Sequence, residues 1–354
     1  MGSLSNRPFE RRSRRRRARI AVAAGLFVII AAQLGMSVAI ETVKPAWRDP
    51  EFGERLERLR DLREANPGRP LVVALGSSRT QMGLRPGAMA LDESGAPLVF
   101  NFGQAGAGPM LELLTLERIL AAGIKPDRVL VEFFPATMGK DDFAERKVPR
   151  WQTRFTASDL AVLAPYCADA RSLHSKWLFN RVAPWHTYRH YLLGHWQPEW
   201  QSLLARWDDS WDHVDAFGWE PYPFEAYAPS CRGRWLALVA EQYGPELRGL
   251  RMGGLAERLL RDLVGRCRGA GIAVAFFLIP EGPTFQCLYP SEVRTAADAY
   301  LQGLSRELAV PVLALNEPFA EEEFADSHHL LSAGAARFSR LFAERCLRPW
   351  LREE

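Results

Sequence analysis

Three short stretches of this 354-residue chain carry side chains that could act together on an acyl group. The first is Leu75-Gly76-Ser77-Ser78-Arg79-Thr80, where an apolar run ends in a small-residue turn. At the carboxyl end of a strand such a turn presents a serine to the ligand crevice, although Gly-Ser-Ser is also ordinary turn sequence. The second is Asp326-Ser327-His328-His329-Leu330, which holds the only D-x-x-H of the sequence. A carboxylate three residues before an imidazole can accept the hydrogen bond of one ring nitrogen. The other nitrogen is then free to take a proton from a serine. Asp326 could instead cap the helix that follows, but Ser332 suits that cap and leaves Asp326 available. The third stretch is Asn101-Phe102-Gly103-Gln104-Ala105-Gly106-Ala107-Gly108-Pro109. Glycine permits close backbone approach, so amide N–H groups there, Gly106 among them, can point at a developing oxyanion. The spacing matches neither a dinucleotide fingerprint nor a phosphate loop with its lysine.

Weaker candidates surround these. Arg79 follows Ser78 directly and could hold a substrate carboxylate or phosphate, or pair with an acid at a strand end. Asn101 and Glu281, the latter within Pro280-Glu281-Gly282-Pro283, are candidate substrate contacts at the same crevice. His186 and His190 are four apart and His195 is near, but no carboxylate accompanies them at helical spacing, so no metal site is expected. No C-x-x-C occurs among the five cysteines, and no cofactor is expected.

The elements that must position these residues are visible as apolar runs. Leu71–Leu75, Leu98–Phe102, Val129–Phe134 and Ala273–Ile279 are nearly continuous, with a weaker fifth at Val312–Leu315. Continuous runs read as strands covered on both faces, as in a parallel sheet. Helical patterns alternate with them: Phe52, Leu56, Leu59 and Leu62 on one face, then 110–122, 255–267, 293–308 and 333–346. The alternation predicts an α/β fold with a doubly wound sheet of five parallel strands. Residues 140–244 break the rhythm and hold nine of the eleven tryptophans. A structureless loop of that length is improbable, so a mostly helical, aromatic-rich insertion is expected. Its tryptophans with Asp208, Asp209, Asp212 and Asp215 could stack on sugars, pack in the core or lie at a membrane surface.

Residues 1–19 carry eight arginines and one acid. Without them the chain has 37 basic and 41 acidic residues, so its net charge of +3 belongs to the tail and the body has no nucleic-acid groove. Ile20–Ile40 contains no charge, and 21 helical residues at ~1.5 Å each cover about one hydrocarbon core. Arginines before a span stay cytoplasmic, which puts the body outside the cytoplasm. A cleaved signal peptide is the competing reading, but its apolar region is normally shorter. The organisation is then a tail (1–19), a transmembrane helix (20–40), an α/β domain in two parts (41–139 and 245–350) and the insertion (140–244). In an oxidising space the five cysteines could form up to two disulfides.

In order and spacing these pieces resemble the SGNH, or GDSL-type, hydrolase superfamily. Its Gly-Asp-Ser block corresponds to Gly76-Ser77-Ser78, its glycine block to Asn101…Gly106, and its Asp-x-x-His block to Asp326 and His329. The resemblance covers roughly residues 52–139 and 245–350. It implies a flavodoxin-like sheet with Ser78 as nucleophile, His329 as base and Asp326 orienting it. The amides of Ser78 and Gly106 would form the oxyanion hole. Ser77 replaces an aspartate that is not part of the triad. The Gly-x-Asn-Asp block is missing, because Val129–Thr137 offers no asparagine. The anchored Gly-Ser-Ser arrangement is similar to proteins of alginate O-acetylation and teichoic-acid D-alanylation. That similarity implies a periplasmic or cell-surface serine esterase or O-acyltransferase acting on a surface glycan or small-molecule ester, with a membrane-bound acyl-donor protein as a further partner. The alternative is a non-catalytic glycan-binding or assembly protein on the same scaffold.

Overall fold

The computed structural model describes residues 7–91, 95–139, 151–201 and 213–352. Five strands form one sheet: β1 (Leu71–Gly76), β2 (Leu98–Gly103), β3 (Arg128–Glu132), β4 (Ala273–Phe277) and β5 (Val312–Leu313). All neighbours are parallel and the order is β2-β1-β3-β4-β5, a doubly wound order. The helices of the α/β body are α2 (Pro50–Ala65), α3 (Ser78–Gly83), α4 (Pro109–Ala121), α9 (Gly254–Gly269), α10 (Ser291–Leu308) and α11 (Ser332–Phe342). Between β3 and β4 lie α5 (Ala157–Leu163), α6 (Ala170–Val182), α7 (Pro184–Trp196) and α8 (Ala228–Arg248).

Side chains alternate across a strand, so an apolar run feeds two cores. Val73, Leu75, Phe100, Phe102, Val131 and Phe276 pack on one face with Leu59 of α2, Leu113 of α4 and Leu263 of α9. Val72, Ala74, Val99, Leu130 and Phe277 pack on the other with Phe338 and Phe342 of α11. Trp151, Phe155, Leu160 and Leu173 of the long inter-strand stretch close the first of these cores.

β1 and β2 extend one residue past their apolar runs, to Gly76 and Gly103, whereas β3, β4 and β5 stop two residues short of theirs. β3 ends at Glu132 because that carboxylate turns to the β1 loop and Pro135 begins a short turn. Pro280, which has no N–H to offer, follows closely after β4. Helix α11 passes at Phe342 into a wider turn over Ala343–Leu347 and then a last α-helical turn over Arg348–Arg352.

Among the described residues of 140–244 the regular elements are helical. The tryptophans divide: Trp151 and Trp219 are buried, Trp185, Trp196 and Trp200 are exposed, and Trp207 and Trp211 lie outside the described residues. Asp208, Asp209 and Asp212 also lie outside them. Asp215 is not a sugar contact: its Oδ1 accepts from Phe217 N at 2.8 Å and Trp219 N at 3.0 Å, closing its own turn.

Helix α1 (Arg7–Val38) precedes the body. Within Ser13–Val43, which covers it and the turn after it, an 18-residue window has a mean hydropathy of 2.1 and is not buried, so one N-terminal helix is long and apolar enough to cross a membrane. No disulfide joins the five cysteines, and Cys267 and Cys346 pack as small buried side chains.

Candidate active site

The turn that carries Ser78 is made by close packing. A Cβ on Gly76 would lie 2.1 Å from Thr80 Oγ1 and 2.6 Å from Glu132 Oε2, so only glycine ends β1 here. Ser77 then caps α3, its Oγ accepting from Arg79 N at 3.2 Å. Ser78 is the first residue of that helix, at the carboxyl edge of the sheet.

The imidazole arrives from the loop before α11. A bridge between Phe324 and Leu330, with Ala325 N donating to His329 O at 2.9 Å, folds 324–330 into a tight turn. Ser327 at its centre has φ +69°, a left-handed conformation that costs a non-glycine residue about 1–2 kcal/mol. The turn is held there by Gly282 N donating to Ser327 O (2.7 Å). Phe285 N donates to Ser327 Oγ (2.8 Å), which donates in turn to Glu321 Oε2 (3.1 Å).

Within this frame Asp326 Oδ2 lies 2.7 Å from His329 Nδ1, and His329 Nε2 lies 2.7 Å from Ser78 Oγ. Asp326 Oδ1 accepts from His329 N at 2.9 Å. An ionised carboxylate can only accept, which places the ring proton on Nδ1 and leaves Nε2 to accept from the serine hydroxyl. His329 is 13% exposed at its side chain, so the site opens to solvent on one side.

The electrostatics keep this assignment. Burial works against ionising Asp326, but the two imidazoles beside it outweigh burial and hold its carboxyl well below the usual range. His328 packs between Phe285 (ring centroids 5.1 Å) and Tyr243 (5.2 Å), and burial brings it down to about 4 despite the carboxylate. The ring in contact with His329, 3.8 Å between centroids, is therefore neutral at pH 7. Tyr222 covers His329 from a third side at 5.9 Å.

Two expected roles are corrected. Asn101 is not a substrate contact. It is fully buried, and its amide donates to Thr80 O (2.7 Å) and Leu84 O (2.6 Å) while its Oδ1 accepts from Gly103 N (2.8 Å). It fastens β2 to the helix carrying Ser78. Ser332 does not cap α11 with its own hydroxyl. It is the first residue of the helix, and its N–H and hydroxyl both bond the Glu225 carboxylate. Glu225 therefore serves as the cap, a favoured place for negative charge.

Arg79 takes the internal of its two expected roles. It is 2% exposed, donates to Ile279 O at 2.5 Å, and lies 3.8 Å from Glu132 and 3.5 Å from Glu281 with Phe134 beneath it at 4.2 Å. Glu281 accepts from Tyr289 O–H at 3.0 Å, and burial raises its pKa against the pull of Arg79. Both line a cleft of about 390 Å³ with Tyr289, Arg294, Asn316 and Phe319, at the carboxyl ends of β4 and β5.

Gly106 has φ +73° in the turn after β2. Its neighbours' N–H groups are committed: Gln104 N to Gly76 O (2.9 Å), Ala105 N to Glu51 Oε1 (2.8 Å) and Ala107 N to Gln104 O (3.0 Å). Among the described residues no acceptor takes the N–H of Gly106, nor that of Ser78 at the helix start.

Glu132 was missed from the sequence. It lies in the block where an asparagine donor was expected, and it is an acceptor: Ser77 N donates to Oε2 at 2.6 Å and Thr80 Oγ1 at 2.9 Å. A carboxylate closing an apolar strand run was the available signal. His328 and Ser327 were likewise passed over beside the motif residues.

Among the described residues, Asp326, His328 and His329 form the one trio close enough to share a cation. The carboxylate oxygens and both nitrogens of His329 are already bonded to one another, to backbone or to Ser78, which fits a proton relay better than a metal site. Compared with models of known families and with curated proteins, the chain matches none.

Proposed function

We propose that the protein is a serine acyl-ester hydrolase or O-acyltransferase of SGNH type, anchored with its body outside the cytoplasm. The observation that carries this is the continuous relay from Ser78 Oγ through His329 to Asp326, both links 2.7 Å. His329 Nε2 takes the proton as Ser78 Oγ bonds the ester carbonyl carbon. The carbonyl electrons move to oxygen, where the N–H groups of Ser78 and Gly106 stabilise them. Collapse returns the proton from His329 to the departing alkoxide and leaves an acyl-serine. Water or a sugar hydroxyl then attacks with the same base, and hydrolysis and transfer differ only in that acceptor.

The arginine tail before the apolar helix supports the outside location. That location supports a cell-surface glycan ester as substrate and a membrane-bound acyl donor as partner. Glu132 favours a second reading, a non-catalytic glycan-binding protein on this scaffold, because an acceptor occupies the block where a third oxyanion donor would sit.

A fluorophosphonate probe separates the two. In full-length protein, an adduct on Ser78 that disappears in Ser78→Ala and His329→Ala supports catalysis. Folded protein without an adduct supports the binding scaffold.

A further inference from the structure

Among the described residues, seven large apolar side chains beyond residue 43 are exposed, and six of them lie between Leu178 and Trp200. Leu178, Phe179, Val182 and Trp185 are 43–59% exposed around the turn that joins α6 to α7. Trp196 and Trp200 follow at the far end of α7.

This patch has a fixed register to the anchor helix. Trp185 N donates to Gln33 Oε1 at 3.1 Å. Further out, Met36 and Ile40 pack with Tyr188 and Leu192, and Trp47 meets Trp196 edge-on at 6.0 Å. Helix α7 thus runs beside the outgoing end of α1. Gln33 lies seven residues before Ile40, the last residue of the uncharged run. At ~1.5 Å per residue that is about 10 Å inside the apolar span. If α1 crosses a bilayer, the start of α7 is within it.

The turn is built for such a place. In hydrocarbon an unpaired backbone N–H is costly. Here Ala183 N donates to Phe179 O (3.0 Å), Pro184 has no N–H, Trp185 N bonds Gln33, and Thr187 N donates to Ala183 O (3.2 Å), which leaves the N–H of His186 as the one in 183–187 without an acceptor among the described residues. Several polar side chains near the turn are engaged, although the buried Asn180 Nδ2 has no acceptor. Arg181 pairs with Glu41 at 2.5 Å and donates to Tyr188 Oη at 2.9 Å, and the His186 ring lies against Phe179. Two basic residues, Arg171 at the opposite end of α6 and Lys176 at its middle, are exposed.

We propose that the α6–α7 turn is a second membrane-embedded element. Val182 and Trp185 enter the acyl-chain region of the non-cytoplasmic leaflet, with Leu178 and Phe179 one turn above. Trp196 and Trp200 sit at the interface, where indole rings are favoured. Arg171 and Lys176 face anionic headgroups. The body is then held by two elements and cannot swivel on its anchor. The proposal requires α1 to span and does not depend on Ser78 being catalytic.

The test uses full-length protein in phosphatidylcholine–phosphatidylglycerol vesicles that contain a lipid with a diazirine on its acyl chain. After irradiation, lipid adducts are mapped by mass spectrometry. Adducts are expected on α1 and on the peptide spanning 178–185. Adducts confined to α1 overturn the proposal, and so do protein–protein cross-links at 178–185 without lipid adducts. In the double variant Phe179→Asp/Val182→Asp the adduct yield at the turn should fall at least about tenfold relative to α1, because carboxylates are strongly disfavoured at that depth. Both positions are exposed, so the Tm in detergent should be unchanged; an undiminished yield overturns the proposal equally.

Discussion

Replacing His328 with phenylalanine should remove a specific part of the protein's acid sensitivity. His328 is 3% exposed, and burial lowers it from 6.5 to about 4. Between those values the unfolded chain binds a proton that the folded chain refuses. The contribution to stability is therefore complete above about pH 6.5 and is lost as pH falls toward 4. The gap from 6.5 to about 4 corresponds to about 3 kcal/mol, of which about 2 kcal/mol falls between pH 7 and pH 5. At about 2–4 °C per kcal/mol this is a Tm loss of about 4–8 °C. Other buried groups act in the opposite sense. Burial raises Glu51, Glu112, Asp215 and Glu281, and their contributions grow as pH falls. The raw melting curve mixes these terms, so the quantity to read is the difference between parent and variant. Phenylalanine keeps the ring stacked on Phe285, which limits the change at pH 7. The parent should lose about 4–8 °C more than His328→Phe between pH 7 and pH 5, by thermal melts in detergent. Equal losses in the two proteins would refute the assignment of His328 as a buried neutral ring.

The remaining substitutions test the frame and the relay separately. Asp326→Asn should leave the fold intact but turn the His329 ring to the wrong tautomer, slowing fluorophosphonate labelling of Ser78 by about 10³–10⁴; undiminished labelling would remove Asp326 from the relay. Glu132→Gln keeps the shape but weakens charge-assisted bonds to Ser77 N and Thr80 and leaves Arg79 with one acid. A loss of about 2–3 kcal/mol is expected by urea titration, and a loss below 0.5 kcal/mol contradicts the bracing role. Asn101→Ala strands the N–H of Gly103 and the carbonyl of Leu84 in the interior, while Thr80 O keeps Leu84 N, and should cost about 2–4 kcal/mol, whereas a substrate contact would lower activity without moving Tm. Ser327→Gly relieves the left-handed strain that Ser327→Ala keeps, while both lose the hydroxyl bonds. The glycine variant should therefore be the more stable by about 1 kcal/mol, and the reverse order would show that the strain is not felt.

What could be read in the sequence follows from how far apart the interacting residues lie. The five strands and their flanking helices were legible because continuous apolar runs and 3.6-residue stripes are local patterns. The lengths were not, because β3 stops where Glu132 meets Ser77, 55 residues earlier in the chain. Ser78, Asp326 and His329 were legible by type and spacing, and the fold brings them into one line. The residues that hold them were not: the capping carboxylate of Ser332 is 107 residues away at Glu225, and the seat of α7 is 152 residues away at Gln33. A hydroxyl with its own capping capacity looked sufficient at Ser332, and nothing local signals that a carboxylate from another element will replace it.

Glu132 shows what such distance conceals in chemical terms. An asparagine in that block would donate to the oxyanion, and its amide would be free to do so only if the Ser77 turn were held by something else. Here the turn needs an acceptor, since Ser77 N and Thr80 Oγ1 are both buried donors aimed at β3. A carboxylate satisfies both and also faces Arg79. The same block cannot then supply an oxyanion donor. In the proposed mechanism, stabilisation of the tetrahedral intermediate would then fall to the backbone N–H groups of Ser78 and Gly106 alone. Since one donor is worth about 10²–10³ in rate, simple activated esters should be turned over slowly while the serine still labels with a fluorophosphonate, which carries its own strong driving force. A protein that labels readily and hydrolyses such esters rapidly would mean that a third donor comes from elsewhere in the chain.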